Sequence, residues 1–216
     1  MPKTYRTKIN NQGQYTIYPG ITTIATIQKQ DSKFWQEIHD MVNIPLISEY
    51  FSPLPYESYH MTTINLYTER DDGGGDWIQF VSQKLAFFKA LHADLAKNSF
   101  QPTIKLQSIK IADVLQLCME INENQKTRIE TTAKTFELQA KIPKVFHITL
   151  AYQYKLTALN HEEKIKHYLK EHLEQFFAER TTPLQLNSPS LTYFNDMTAF
   201  TPWDALSNPF ISISAK

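Results

Sequence analysis

The sequence predicts an α+β fold with sheets that are at least partly antiparallel. Three observations carry this expectation. Helix-like and strand-like segments are interspersed along the chain, strand candidates occur as adjacent pairs, and one short strand-borne element occurs twice.

Residues 1–20 are polar, with turn signals at Gln12-Gly13 and Pro19-Gly20, so 1–19 reads as a peripheral N-terminal extension. Ile21 to Ile27 is β-branched throughout except Ala25, which favours a strand. Ser32 is placed to cap a short helix carrying Phe34, Trp35, Ile38, Met41 and Val42 at helical spacing. Pro45, Pro53 and Pro55 break up residues 43–58, and Tyr59 to Thr68 is the next strand candidate. The run Asp71-Asp72-Gly73-Gly74-Gly75-Asp76 is a turn whose last residue resembles a helix N-cap. Trp77, Ile78, Val81, Leu85, Phe88, Leu91 and Leu95 follow at spacings of three and four, which predicts one long amphipathic helix.

Residues 103–121 read as two strands, and polar residues 122–136 as a helix or a loop. Lys141 to Tyr154 contains a further strand. Asn160 with Glu163 forms a capping pair opening a helix with Ile165, Tyr168, Leu169, His172, Leu173 and Phe176 on one face. Pro183 ends that helix. The tail reads strand, turn, strand: Leu191 to Phe194, then Asn195-Asp196, then Met197 to Phe200. No linker is long enough to separate independent domains, so residues 1–216 are expected to form a single domain.

Composition narrows the function classes. The chain is 42% hydrophobic and 20% charged, with 13 Phe, 11 Tyr and 3 Trp, enough large apolar surface for a substantial core. Its 22 basic and 22 acidic residues balance, whereas a protein tracking a long nucleic-acid backbone carries a basic surplus. A small or short anionic ligand fits this balance better. The single cysteine, Cys118, lies in an apolar strand-like run, so neither an intramolecular disulfide nor a thiolate metal cluster is available. The polar, basic start carries no signal-peptide pattern, and no stretch approaches the roughly 20 apolar residues of a membrane span. A cytoplasmic, membrane-free monomer is expected.

The duplicated element carries the chemistry. Tyr59-His60-Met61-Thr62 and Phe146-His147-Ile148-Thr149 both read aromatic, His, long apolar residue, Thr, and both have a tyrosine seven positions after the histidine, Tyr67 and Tyr154. Side chains alternate along a strand, so each His shares a face with its Thr. The opposite face of the second strand would be Phe146, Ile148, Leu150, Tyr152 and Tyr154, a core face; that of the first would be Tyr59, Met61, Thr63, Asn65 and Tyr67. A lone His in an apolar strand is usually a satisfied core or surface residue. Two matched copies point instead to a shared site.

This paired pattern resembles the 2H phosphoesterase superfamily, which includes RNA 2′,5′-ligase-like and cyclic phosphodiesterase-like proteins. Its members carry two His-x-Thr or His-x-Ser elements on central strands of two pseudo-symmetric lobes. The tail Leu191 to Phe200 is similar to an ending found in a bacterial and fungal branch of that superfamily. The resemblance implies two lobes, each a mostly antiparallel sheet with flanking helices, around a central cleft. It also implies that His60 and His147 are catalytic and that Thr62 and Thr149 bind phosphate.

Displacement at phosphorus supports the same assignment. One group must take a proton from the attacking oxygen and another must protonate the leaving oxygen, and two imidazoles supply both near neutral pH. The threonine hydroxyls supply donors for the phosphoryl oxygens. No His-Glu-x-x-His and no cysteine pair is present, so neither a metal nor a cofactor is expected. Tyr193 and Phe194 are candidates for stacking on a base, and Arg128 and Lys144 for phosphate contacts. The other histidines, His39, His92, His161, His167 and His172, fall in helices and read as structural or exposed. The expected substrate is a small nucleotide or short RNA-end phosphodiester: a 2′,3′-cyclic phosphate, a 2′–5′ linkage or a cyclic nucleotide. The alternative is a non-catalytic module that captures RNA ends or nucleotides in the same cleft.

Overall fold

A computed structural model describes residues 7–72 and 75–211. The first six residues of the polar start, and Gly73 and Gly74 of the glycine turn, lie outside the described residues. The fold is α+β. Its strands are β1 (Gly20–Thr26), β2 (Phe51–Pro53), β3 (His60–Thr68), β4 (Thr103–Ile111), β5 (Val114–Ile121), β6 (His147–Gln153), β7 (Leu184–Gln185), β8 (Ser190–Phe194) and β9 (Thr201–Pro202). They form one curled sheet in the order β7-β4-β5-β6-β3-β1-β8-β9, with β2 on the edge of β6 and every pairing antiparallel.

The two halves of this sheet meet at β3 and β6, the strands that carry the duplicated element. Their ladder is reduced to one pair, Met61 with Ile148. Farther along, the edge of β6 is taken by β2, from Ala151 to Gln153. The central strands therefore touch at their His-x-Thr segments and part beyond them, and the parting opens a cleft.

The helices are α1 (Ser32–Val42), α2 (Pro45–Ser48), α3 (Trp77–Gln83), α4 (Leu85–Lys97), α5 (Glu123–Thr135), α6 (Leu159–Leu169) and α7 (Gln175–Ala178), the last two joined by a π-turn at Lys170–Glu174. Trp35, Ile38 and Val42 of α1 are buried where it meets β6; Phe88, Leu91 and Leu95 of α4 are buried where it packs on β8. Cys118 is buried in β5. Among the described residues, no helix is long and apolar enough to cross a membrane.

Several boundaries differ from the sequence expectation. The long helix is broken at Lys84, which leaves helical geometry (φ −100°, ψ 6°) and lays its ammonium over the rings of Tyr67 and Phe80. Asp76 does cap α3, its carboxylate accepting from the Ile78 and Gln79 amides. Ser32 opens α1 but does not cap it, and Asp31 before it binds Arg180 at 2.6 Å instead. Nor do Asn160 and Glu163 form the start of α6. That helix begins at Leu159, and His161 ties its first turn to the Leu46 carbonyl at 2.9 Å. Residues 122–136 are helical over α5, capped by Asn122. In the tail, Met197 to Phe200 is a loop rather than a strand. Asp196 accepts from both the amide and the hydroxyl of Thr198, which turns the chain before the short β9.

Candidate active site

The duplicated element converges on one cleft of about 290 Å³, lined by His60 and Thr62 from β3 and by His147 and Thr149 from β6. Continuing the Met61–Ile148 register one residue either way sets His60 across from Thr149 and Thr62 across from His147. In a regular ladder, directly opposed Cβ atoms stand about 4.5–5.5 Å apart and diagonal neighbours, the relation this register gives the two histidines, about 7–8 Å or somewhat less between Cβ atoms. The site thus has a local two-fold character centred on the Met61–Ile148 pair.

Each histidine is oriented by the same device. His60 Nδ1 lies 2.7 Å from the carbonyl oxygen of Ser58, and His147 Nδ1 lies 3.0 Å from that of Val145, in both cases two residues upstream. A carbonyl oxygen only accepts, so each Nδ1 carries the proton and donates it. That leaves Nε2 as the nitrogen available to the cleft in both rings. The Ser58 carbonyl is set by a 3₁₀ turn, Tyr56–Ser58, itself closed by Ser58 Oγ donating to the Pro55 carbonyl.

The threonines stand apart from their neighbours. Thr22, Thr23, Thr63 and Thr192 in the same sheet all commit their hydroxyls to backbone carbonyls or to one another. Among the described residues, the hydroxyls of Thr62 and Thr149 have no intramolecular partner. Both are free to donate to an anion in the cleft.

The surroundings of His60 change its basicity. Burial is the main cause and pushes its pKa down to about 4; the bond to Ser58 opposes this, while the charges of His147 and Lys8 add to it. Phe200 contributes to the enclosure, its ring centroid 4.0 Å from that of His60, and Phe194 packs behind Phe200 at 5.0 Å with the rings tilted by 45°. Gly20 lets Phe194 come this close, since a Cβ there would stand 2.3 Å from the Phe194 ring.

Bulges alter which side chains reach the cleft. In β6, Thr149 pairs with Gln116 and Ala151 with Leu115, which leaves Leu150 as an extra residue. A bulge inverts the facing of everything beyond it. Tyr152, expected on the core face, therefore lines the cleft. In β3 the extra residue at Thr63 turns Asn65 to the cleft rim in the same way.

Of the remaining sequence candidates, Phe194 lines the cleft and Tyr193 does not. Strand alternation turns Tyr193 away, and its ring packs edge-on against Phe210 at 5.8 Å. Arg128 is also absent from the cleft. Its guanidinium donates to the carbonyls of Asn98 and Ser99 and lies over the Phe100 ring, binding α5 to the loop after α4. Lys144 is exposed and is not a cleft residue. His39, His161 and His172 bond backbone carbonyls elsewhere.

Sequence reasoning missed several lining residues. Lys8 and Tyr18 reach the cleft from the N-terminal segment, and Lys141, paired with Asp71 at 3.1 Å, stands at its rim. Met197 and Phe200 also line it, and the tail pattern was the one signal pointing to them. Among the described residues, no group of three or more His, Cys, Asp or Glu is arranged to hold a metal ion.

Residues 8–130 match the 2H-phosphodiesterase family model, described as a domain of unknown function, DUF1868. The fold is similar to that of a conserved protein of unknown function from Agrobacterium tumefaciens, ATU0111, with a TM-score of 0.70 and 16% identity over 91% of this chain and 89% of that one. It is also similar to Escherichia coli LigT in its apo form, with a TM-score of 0.50 and 12% identity over 86% of this chain and 95% of that one. A 65-residue stretch is 37% identical to uncharacterized protein 127L of Invertebrate iridescent virus 6, covering 29% of this chain and 28% of the viral protein. With a family model spanning more than half of its length, and a curled antiparallel sheet like that of LigT, the chain belongs to the 2H phosphodiesterase family, in the group described as DUF1868.

Proposed function

We propose that this protein is a phosphodiesterase that acts on a small or short nucleotide-type phosphodiester, with His60 and His147 as its acid–base pair and Thr62 and Thr149 as phosphate donors. The observation that carries the reading is the convergence of both His-x-Thr elements on one cleft, each ring fixed by the carbonyl two residues before it.

The depressed basicity of His60 favours one division of roles. A ring held near 4 is neutral at physiological pH and accepts a proton through Nε2, so His60 serves as the base towards the attacking water or hydroxyl. His147, across the phosphorus, then protonates the leaving oxygen. Two imidazoles cover both proton transfers, and this scheme has no step for a metal to perform. The threonine hydroxyls hold the non-bridging oxygens, where charge grows as the new P–O bond forms. Holding the phosphate between two rings on facing strands also supplies alignment for in-line attack.

The size of the cleft favours a single nucleotide or a short end, and its aromatic wall of Tyr18, Tyr67, Phe194 and Phe200 suits a nucleobase face. A 2′,3′-cyclic phosphate meets these requirements, as do a 2′–5′ linkage and a cyclic nucleotide.

The test is turnover in EDTA on nucleoside 2′,3′-cyclic monophosphates, 2′–5′ dinucleotides and cyclic nucleotides, for wild type, His60→Ala and His147→Ala. Wild-type turnover in chelator that drops at least 100-fold in either variant, with folding intact, is expected. Tight ligand binding with unchanged ligand after long incubation would instead identify a nucleotide-binding module.

A further inference from the structure

Resting on the phosphodiester reading above, we infer that Lys8 is an anion-binding residue of the cleft, held by the N-terminal hairpin so that its ammonium meets the phosphate oxygens between the two histidines. Residues 7–18 form a hairpin closed by the Ile9–Tyr15 bridge and by the Thr16 amide donating to the Lys8 carbonyl at 3.1 Å. Its tip uses Gly13 at φ +79°, a conformation open to glycine, and packs on the Tyr154 ring. Tyr15 donates to the Ser52 carbonyl at 2.6 Å and Ser52 returns a bond to the Gly13 carbonyl at 2.8 Å, which fastens the hairpin to β2. The position of Lys8 is therefore set by the fold rather than left to a loose end.

Its ammonium has no carboxylate counter-charge among the described residues, in contrast to five lysines elsewhere in the chain. Lys33, Lys126, Lys141, Lys155 and Lys166 each lie within ion-pair distance of a carboxylate. Lys8 is half-buried in the cleft wall and, among the described residues, has no carboxylate at that distance. It lies over the rings of Tyr18 and Tyr152, at 5.6 and 5.1 Å, and donates to the Tyr152 hydroxyl at 3.2 Å. Partly desolvating an ammonium without an anion is costly, and an arriving phosphate removes that cost. Tyr152 is the residue the Leu150 bulge turns to the cleft, three positions beyond Thr149, so Lys8 is tied to the strand bearing His147. Its charge also reaches His60, where it helps to depress the basicity of that ring.

Titration with inorganic phosphate, followed by calorimetry, tests this independently of turnover. Lys8→Gln is expected to weaken phosphate binding about tenfold or more, and Lys8→Arg to stay within about threefold of wild type. Should Lys8→Gln prove unstable, Lys8→Met keeps the alkyl stem between the tyrosine rings and reads the same loss. Thr149→Ala serves as the reference for the site itself. Phosphate binding by Lys8→Gln and Lys8→Met within about twofold of wild type, while Thr149→Ala is weakened, overturns the role of Lys8 and leaves the phosphodiester reading standing. A wild type that takes up no phosphate overturns the anion-binding role of Lys8, and turnover of the diester panel then decides the phosphodiester reading separately.

Discussion

Burial sets what His60 can do with a proton. With its pKa down at about 4, the acid limb of kcat/KM is expected near that value rather than near the ordinary 6.5, and a pH–rate profile between pH 3 and 8 checks it. The same shift has a stability consequence of fixed sign. Between about pH 6.5 and pH 4 the unfolded chain binds a proton at this position that the folded protein refuses, so stability falls as pH drops through this window. Chemical denaturation at pH 7 and pH 5 is expected to show the loss, and His60→Gln to reduce it. Gly20 is a second single-residue control. Adding a Cβ drives into the Phe194 ring, which backs Phe200 and through it His60. Gly20→Ala is expected to cost about 1–3 kcal/mol in denaturant unfolding and to lower turnover with it.

At the scale of elements, strand alternation was legible and its interruptions were not. The duplicated His-x-Thr pattern located both central strands and the faces of all four proposed functional side chains. Nothing in Thr149-Leu150-Ala151 marks a bulge, because the extra residue is decided by pairing with β5, a partner more than 25 positions away in the chain. For that reason simple alternation puts Tyr152 on the core face and Asn65 on the face opposite His60. The break at Lys84 has a similar origin, since no Gly or Pro announces it and ring contacts with Tyr67 and Phe80 hold the lysine there. Arg128 had the right charge for a phosphate, but tertiary contacts gave it two carbonyls to satisfy. The turn after β8 shows what one polar residue contributes to an element. Asp196 holds the Thr198 amide and hydroxyl, and so shapes the loop that presents Met197 and Phe200. Asp196→Ala is expected to cost about 0.5–1.5 kcal/mol and to raise KM more than it lowers kcat, measured by thermal unfolding and steady-state kinetics.

On the scale of the whole molecule, the sheet halves meet at the strands that carry the site and again where Ile27, after β1, bridges Leu186, after β7, and distant contacts hold the frame around the site. Asp31 and Arg180 join the start of α1 to the end of the helical run after β6 at 2.6 Å, with the Asp31 side chain almost fully covered. Asp31→Ala leaves the guanidinium over Phe34 without its anion. A loss of about 1–3 kcal/mol in stability is expected, with kcat unchanged below the melting temperature. The proposed mechanism requires both Nε2 atoms to face one phosphate. Imidazole ¹⁵N NMR during titration with inorganic phosphate measures this most directly. The His60 and His147 Nε2 resonances are expected to move together along one saturation curve, with both Nδ1 atoms remaining protonated. Movement of one ring alone, or of neither while phosphate binds, would contradict it.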